Sequence, residues 1–268
     1  MPIILEHVTF GYDGRNVVDD ATLTIAEGLV HLVFGPTGCG KTTIALLLVG
    51  LLRPQKGTIL VDGADPARPH FNRQSIQLAF QFPESQMFEV TVEKEVSYAL
   101  KNFGLAPGEI RGRCDWAMDC VGLPREFLGR DPHNLSFGER RKVALASAIA
   151  VRPAYLILDE PLAGLDWTGR RNLVEVILRL KEEGMAAVIL THETDLIGEI
   201  GDTALSMAGG GISEPLPAAD FVYDDPAGPH IPEFLKLLRL MKEKGFRIPG
   251  RPHRIDDVAR AVVDAVSP

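Results

Sequence analysis

The sequence predicts an α/β fold in which a mainly parallel sheet carries helices on both faces. Short apolar runs with little alternation recur along the chain, and they are typical of strands covered on both sides. Segments with helical periodicity lie between these runs, and strand–helix–strand succession favours parallel pairing. The first 28 residues instead resemble antiparallel edge strands around a turn-rich segment.

The predicted elements follow in chain order. The antiparallel strands are expected at residues 3–10, 21–25 and 58–61, the last one closing on Asp62-Gly63. The buried strands are expected at residues 29–34, 76–80, 155–158, 186–190 and 203–207. The helices between them are expected at residues 42–52, 92–103, 110–121, 139–151 and 169–183.

Composition and charge limit the classes of protein to which the chain can belong. Its 268 residues are 46% apolar and 24% charged, which is typical of a globular protein and excludes low-complexity chains. The net charge of −8 argues against a protein that coats nucleic acid or anionic lipid. The longest apolar stretch, residues 44–52, is about half of the ~20 residues of a membrane span. Because no secretion signal is recognisable and the three cysteines lack zinc-type spacing, the cytoplasm is the expected compartment.

A change in the sign of the charge suggests a second, smaller unit. From Ile231 to Arg260 there are eight basic and four acidic residues, whereas the preceding part is acidic. The change follows a stretch rich in Pro, Asp and Gly that begins at Pro215 and is typical of a linker. We therefore expect one domain at 1–225 and a helical extension at 226–268, with helices at 233–244 and 256–266. In the first of these helices, one apolar face is predicted from Phe234, Leu237, Leu238 and Met241.

A glycine-rich phosphate loop is the most specific motif in the chain. It follows the predicted strand at 29–34 and opens an apolar helix, which is the context that the G-x-x-x-x-G-K-[ST] pattern requires. Glycines allow successive backbone N–H groups to converge on phosphate oxygens at the positive end of a helix. Lys41 is expected to reach the β- and γ-phosphates of ATP, and the Thr42 hydroxyl to hold Mg²⁺. The predicted nucleotide-binding residues of this segment are Gly35, Pro36, Thr37, Gly38, Cys39, Gly40, Lys41, Thr42 and Thr43.

Two adjacent carboxylates end the predicted strand at 155–158. Such a nucleotide site needs a carboxylate to fix the metal and a group that orients or deprotonates water. Asp159 is expected to help fix Mg²⁺ through the groups that ligate it directly, and Glu160 is expected to be the general base. Taken alone, the pair is equally compatible with a solvated strand end, but the phosphate loop favours the catalytic interpretation.

A third motif makes the chain resemble the ATP-binding cassette ATPases over roughly residues 3–212. Leu135-Ser136-Phe137-Gly138-Glu139 is similar to the signature segment of that family, whose usual form is LSGGQ. The resemblance implies a phosphate-loop NTPase core, an antiparallel β subdomain and an inserted α-helical subdomain at about 83–150. It also implies a head-to-tail dimer in which Ser136 and Gly138 face the ATP of the second subunit.

The signature segment departs from the family pattern at Phe137 and Glu139. A carboxylate beside phosphates would repel them, so Ser136 and Glu139 are interpreted as an S-x-x-E capping box. In that arrangement Glu139 turns back toward the end of its own helix. The segment taken alone is also compatible with a merely well-capped helix start.

Further positions match family landmarks in the expected order. Tyr12 resembles the aromatic residue that stacks on adenine, and its alternative is a half-buried turn tyrosine. Gln81 resembles the glutamine that touches Mg²⁺ or the attacking water, and His192 resembles the switch histidine that contacts the γ-phosphate. Gly164-Leu165-Asp166 resembles the D-loop, which packs across the dimer.

The segment after Gln81, from Phe82 to Val92, resembles the coupling region of energy-coupling factor transporter ATPases. Gly169-Arg170 and the basic C-terminal extension also fit that branch. The resemblance implies a peripheral ATPase on the cytoplasmic face of the membrane that powers import of a vitamin, cobalt or nickel. Its partners would be a second ATPase subunit, a transmembrane coupling protein and a substrate-binding membrane component, with no nucleic acid. Pro83 and exposed Met87 and Phe88 are expected to shape a groove for a partner helix.

Several alternatives remain at the level of sequence. The coupling segment is also compatible with an ordinary loop, and the C-terminal helices with packing on their own domain. A DNA-repair or chromosome ATPase usually carries coiled-coil insertions, and a translation ATPase usually carries two cassettes. Neither feature is visible in this sequence. A non-catalytic, ATP-gated subunit is a further alternative because of Glu139. Cys39 is expected to be reactive at its helix N-terminus, and Cys114 and Cys120 to be ordinary helix residues.

Overall fold

The computed structural model of the chain describes residues 2–80, 87–224, 232–246, 248 and 250–266, and it confirms the predicted α/β fold. The strands are β1 (Ile3–Tyr12), β2 (Arg15–Ile25), β3 (Val30–Phe34), β4 (Lys56–Val61), β5 (Ile76–Ala79), β6 (Tyr155–Asp159), β7 (Ala186–Thr191), β8 (Thr203–Ala208), β9 (Gly211–Ile212) and β10 (Leu216–Pro217). The helices are α1 (Lys41–Leu48), α2 (Val92–Asn102), α3 (Pro107–Cys120), α4 (Phe137–Ala150), α5 (Trp167–Glu182), α6 (Leu196–Glu199), α7 (Ala218–Asp224), α8 (Glu233–Glu243) and α9 (Ile255–Val266).

The central sheet has the strand order β10-β8-β3-β7-β6-β5, and β9 pairs with β8. Strands β8, β3, β7, β6 and β5 pair in parallel, whereas β10 is antiparallel to β8. Both faces of the sheet are covered, because Val33 of β3 enters one apolar cluster and Leu32 and Phe34 enter the other. Burial on both faces explains why these strands are continuous apolar runs in the sequence.

The antiparallel subdomain is a separate sheet with the order β2-β1-β4. Its first hairpin is tighter than predicted, because β1 extends to Tyr12 and β2 begins at Arg15. The turn is thus reduced to Asp13 and Gly14, which both have positive φ. Such two-residue turns suit the twist of antiparallel strands, so more of the turn-rich segment at residues 11–15 is strand than its composition suggested.

Helix α1 ends at Leu48, earlier than the predicted residue 52. Gly50 has a φ of 72°, and a helix cannot continue through that left-handed conformation. An added Cβ on Gly50 would lie 2.1 Å from the carbonyl oxygen of Pro66. The apolar run therefore contains a close backbone approach that helical periodicity alone did not reveal.

Helices α2, α3 and α4 form the inserted helical subdomain. Their apolar faces join one cluster with β6 and α5, and its fully buried side chains include Leu100, Met118 and Ile149. Met87 belongs to this cluster and is 7% exposed, so the prediction that it is exposed was wrong. Phe88 is 59% exposed, as predicted. Sequence composition cannot distinguish the two because both are large apolar residues in one short loop.

The predicted linker from Pro215 was wrong for residues 216–224, which form β10 and α7. Phe221 of α7 is buried, and its ring lies 5.5 Å from that of Phe34 between centroids. Proline, aspartate and glycine correctly indicate turns here, but they do not report the apolar side chains that dock α7 on the sheet.

The C-terminal helices pack back on the cassette. Leu235, Leu238 and Met241 of α8 are buried, whereas Leu237, predicted on the same apolar face as Leu238 and Met241, is 46% exposed. The backbone N–H of Glu233 donates to Asp195 Oδ1 at 2.7 Å, next to α6. Helix α8 thus begins on the segment that follows β7, a contact between residues that are far apart in sequence.

Among the described residues, no helix combines the length and the apolar character that crossing a membrane requires.

Candidate functional site

The phosphate loop joins β3 to α1, and α1 begins without a side-chain cap. Its N-cap, Gly40, has a φ of 109° and offers no side chain to cap the helix. An added Cβ on Gly40 would lie 2.6 Å from Val17 Cγ1 and 2.7 Å from Met207 Cε, so only glycine fits. An uncapped helix N-terminus presents backbone N–H groups and the positive end of the helix dipole. This end of α1 can therefore bind an anion.

Lys41 lies inside the loop rather than in solvent. Its Nζ donates to the carbonyl oxygens of Gly35 at 2.7 Å and Pro36 at 3.2 Å. The same Nζ lies 3.1 Å from Glu160 Oε1, and both side chains are largely buried. Neutral carbonyls and one carboxylate hold this buried ammonium group, so its positive charge can attract an anionic ligand.

The end of β6 brings a carboxylate to the start of α1. The Thr42 hydroxyl donates to Asp159 Oδ2 at 2.6 Å, although the two residues are 117 positions apart. Burial raises the pKa of Asp159, and the nearby charge of Glu160 adds to this, while the Thr42 hydrogen bond and Lys41 oppose it. A buried carboxylate whose negative charge is incompletely compensated favours a cation beside it.

His192 completes the cluster from the end of β7. Its Nδ1 lies 3.0 Å from Glu160 Oε2, and the ring is half exposed. Glu160 itself adopts a φ of 46°, a conformation that a residue other than glycine rarely takes. Its backbone N–H donates to Leu190 O at 2.8 Å, which holds this conformation in place. The Glu160 carboxylate, which follows β6, therefore contacts both Lys41 and His192, and His192 follows β7.

The capping box predicted for the signature segment is present at the start of α4. The Ser136 backbone N–H donates to Glu139 Oε2 at 2.8 Å, and the Glu139 N–H donates to Ser136 Oγ at 3.3 Å. Both Ser136 and Gly138 are exposed. The hydrogen bonds of Ser136 stay at its own helix end, and the cluster around Lys41 is formed without it.

The other predicted residues are placed as follows. Tyr12 is 48% exposed and packs edge-to-face on Phe10, with the ring centroids 5.1 Å apart. Thr43 is buried in α1, and Cys39 is a partly exposed free thiol. Gln81, predicted as a catalytic and metal-binding residue, lies outside the described residues, as does the segment up to Gln86.

Arg141, which no sequence motif singles out, connects α4 to the cluster around Lys41 and Glu160. It is 9% exposed, and Nη1 donates to Ala163 O at 2.6 Å and Nη2 to Glu160 O at 3.3 Å. Leu145 and Ile149 lie on the same buried face of α4, four and eight positions later. A charged residue on an apolar helix face needs polar partners, and this signal could have identified Arg141.

Comparisons with known proteins agree with this geometry. The family model described as ABC transporter matches residues 18–163. The chain is 34% identical over 275 residues to the energy-coupling factor transporter ATP-binding protein EcfA2 of Symbiobacterium thermophilum, across 98% of this chain and 96% of that protein. It is also 34% identical over 265 residues to EcfA2 of Clostridium acetobutylicum, across 92% of each chain.

A solved structure extends the similarity to three dimensions. It is cbiO1 from Clostridium perfringens, part of the ABC transporter complex cbiONQ, and it superposes with a TM-score of 0.75. The sequence identity is 28%, and the match covers 91% of this chain and 96% of that chain. This chain therefore belongs to the ABC transporter family, as an ATPase that couples ATP hydrolysis to transport.

Proposed function

We propose that the chain powers an energy-coupling-factor-type importer of a vitamin or of a cobalt or nickel ion. It would act from the cytoplasmic face of the membrane, as a head-to-tail dimer with a second ATPase subunit. The observation that carries the proposal is the contact of Glu160 with both Lys41 and His192, beside the Thr42–Asp159 hydrogen bond. Similarity to EcfA2 proteins over nearly the whole chain supports this branch of the family.

In the proposed cycle, ATP phosphates bind at the uncapped N-terminus of α1. Lys41 exchanges the Glu160 carboxylate for phosphate oxygens, because both are anions within reach of one ammonium group. Glu160 is then available to accept a proton from the attacking water, while His192 keeps its carboxylate oriented. Ser136 and Gly138 close the nucleotide site of the second subunit in the head-to-tail dimer, and hydrolysis reopens the dimer.

Magnesium fits the oxygen ligands that the site offers. Thr42 Oγ1 and Asp159 Oδ2 lie together, and hydroxyl and carboxylate oxygens are ligands that Mg²⁺ prefers. The incompletely compensated charge of Asp159 favours a cation there. When bound, Mg²⁺ would neutralise charge on the phosphates, and Thr42 and Asp159 would hold it, with Gln81 as a predicted third contact.

The substitution Glu160→Gln tests the proposed base. We expect ATP to bind normally, turnover to fall at least about 100-fold, and an ATP-bound dimer to accumulate, because the amide cannot accept the proton. Turnover by phosphate release and mass by light scattering measure these effects. Glu175→Gln, which neutralises an exposed carboxylate on α5, serves as the matched control. A Glu160→Gln protein that turns over at the full rate contradicts the assignment.

A groove beside α2 is the proposed contact with the transmembrane coupling protein. It encloses about 200 Å³, and its lining includes Phe80, Phe88 and Tyr98. Phe88 and Tyr98 pack edge-to-face at 4.7 Å between centroids, yet each remains substantially exposed. Glu95 Oε2 accepts hydrogen bonds from the N–H groups of Phe88 and Glu89 and so fixes this loop. A groove with aromatic walls suits a partner helix.

Charge introduced into the groove tests this contact. We expect Phe88→Asp to abolish co-purification with the membrane components, because a carboxylate would be buried on docking. Val90→Asp is the matched control, since Val90 is 63% exposed in the same loop but does not line the groove. Co-purification by both variants alike would contradict the groove assignment, and MgATP binding by each confirms that it is folded.

The exposed face of α8 is the proposed contact with the second ATPase subunit. Leu237 and Leu240 are 46% and 51% exposed, while the opposite face of the helix is buried in the cassette. We expect the double variant Leu237→Asp with Leu240→Asp to sediment as a monomer without ATP. Val90→Asp again controls for a surface charge elsewhere. An unchanged mass of the double variant would assign this face no role in dimerisation.

A further inference from the structure

Arg170 forms a charged fork between two carboxylates that the proposed cycle does not use. Its Nη1 lies 2.5 Å from Glu193 Oε2, and its Nη2 lies 2.6 Å from Glu199 Oε1. The arginine is 21% exposed, and its partners are 28% and 20% exposed. Charge-assisted bonds that are partly withdrawn from water are stronger and more directional than surface ion pairs.

The fork joins two segments that flank the site. Arg170 is the fourth residue of α5, which directly follows the segment Gly164-Leu165-Asp166, and Gly169 N donates to the capping Asp166 Oδ1 at 2.7 Å. Glu193 directly follows His192, and Glu199 is the last residue of α6. Both ends of the stretch from His192 to Glu199 are thereby tied to one guanidinium group. A two-pronged contact restrains the orientation of this stretch as well as its position.

We propose that Arg170 is a positioning residue for His192. By holding Glu193, it keeps the backbone of the neighbouring histidine in place, so that Nδ1 of His192 stays at 3.0 Å from Glu160 Oε2. Because α5 begins where the predicted D-loop ends, the fork also transmits displacements of that segment to His192. The inference rests on the proposed roles of His192 and Glu160.

The adjacent arginine provides a matched control. Arg171 pairs with Glu175 through its Nε at 3.0 Å, but both side chains are mostly exposed and belong to one helix. Removal of either arginine deletes one positive charge from the same turn of α5. Only the change at Arg170 releases the segment after His192.

The experiment compares Arg170→Met, Arg170→Lys and Arg171→Met in the full chain. We expect kcat to fall about tenfold in Arg170→Met with KM for MgATP nearly unchanged, because a charge-assisted contact outside the nucleotide pocket is lost. Arg170→Lys should recover part of the loss, since it keeps the charge but not the fork. In ¹⁵N-histidine spectra, the His192 signal should move in Arg170→Met and stay in place in Arg171→Met. The loss of one signal in His192→Asn assigns it.

The outcomes separate this inference from the proposed function. Arg170→Met with an unmoved His192 signal, or with the same kcat as Arg171→Met, would overturn the role of Arg170. Full turnover in His192→Asn would instead overturn the proposed role of the histidine. If Arg170→Met does not fold, Glu193→Gln replaces it, because this variant keeps the shape and removes one charge of the fork. The kcat and the His192 signal of Glu193→Gln then show whether the fork positions His192.

Discussion

Two helix N-termini in this molecule are built in opposite ways. Helix α1 begins at Gly40 without a side-chain cap, whereas α4 begins at Ser136 with a complete capping box. In α4, Ser136 and Glu139 exchange hydrogen bonds, so the first turn is partly satisfied by its own side chains. In α1, the same kind of helix end is left open.

The difference shows that a helix N-terminus can be left open for a ligand or be stabilised by its own side chains. An open N-terminus attracts phosphate but is less stable by itself, since its N–H groups have no side-chain partner. A capped N-terminus is stable before a ligand arrives. In the proposed cycle, the α1 end binds ATP within its own subunit. The capped α4 end is then already ordered when it meets the nucleotide of the second subunit.

Adding a side chain at Gly40, the N-cap of α1, should have the largest effect. We expect Gly40→Ala to lose ATP binding and to reduce the free energy of unfolding by about 2–4 kcal/mol, from positive φ and overpacking together. Gly38→Ala shares the positive φ, 81°, but its Cβ would meet no atom within 4 Å. The free energy of unfolding of this control should fall by only about 1–2 kcal/mol. Thermal unfolding measures the stability of both variants, and nucleotide titration measures ATP binding by Gly40→Ala. Equal losses of stability would contradict the role of the contacts with Val17 and Met207.

Protection of Cys39 by MgATP against thiol labelling tests whether the N-terminus of α1 binds the nucleotide. We expect thiol modification to block ATP binding, and MgATP at about 100 times its Kd to slow labelling by more than about tenfold. Cys114 and Cys120 provide an internal control, because both are buried and burial raises the pKa of Cys114 to about 11. Mass spectrometry locates the label. Equal labelling of Cys39 with and without MgATP would refute the prediction.

Removing the cap of α4 should reduce both stability and turnover. We expect Ser136→Ala to cost about 1 kcal/mol of unfolding free energy and to lower turnover about tenfold, because the hydroxyl serves the helix and the nucleotide. Thr91→Ala is the matched control, since Thr91 caps α2 through the N–H of Lys94 in the same subdomain. Thr91→Ala should lose a similar amount of unfolding free energy but keep normal turnover. A normal rate in Ser136→Ala, together with a normal rate in Glu139→Gln, would refute the signature assignment.

The charge of Glu139 should produce the smallest effect. Hydrogen bonds from the Ser136 hydroxyl and backbone lower the pKa of the Glu139 carboxyl. Its stabilising contribution is therefore complete above the usual glutamate pKa of about 4.3, and it is lost as pH falls through the lower folded value. The stability difference between wild type and Glu139→Gln should shrink over that acidic range in denaturant titrations. At pH 7, we expect Glu139→Gln to raise turnover by less than about threefold, because the charge that it removes already turns back toward its own helix end.

Much of the fold was predictable because local patterns act over short distances. Apolar runs predicted β3, β6, β7 and β8 to within about two residues, since both faces of these strands are buried. The S-x-x-E pattern predicted the capping box for the same reason, because the two side chains bond within one helical turn. By contrast, Pro215 and its neighbours wrongly indicated a linker through 216–224, because the apolar residues of α7 become informative only against the sheet.

The sequence by itself determined the open end of α1, the cap of α4 and the two acids that end β6. These features depend on backbone conformation and side chains within a few residues. Only the tertiary structure decided that Glu160 contacts Lys41 and His192, and that Arg170 holds Glu193 and Glu199. Such contacts join residues from separate strands and helices, and they form only when parallel pairing brings the strand ends to one edge of the sheet.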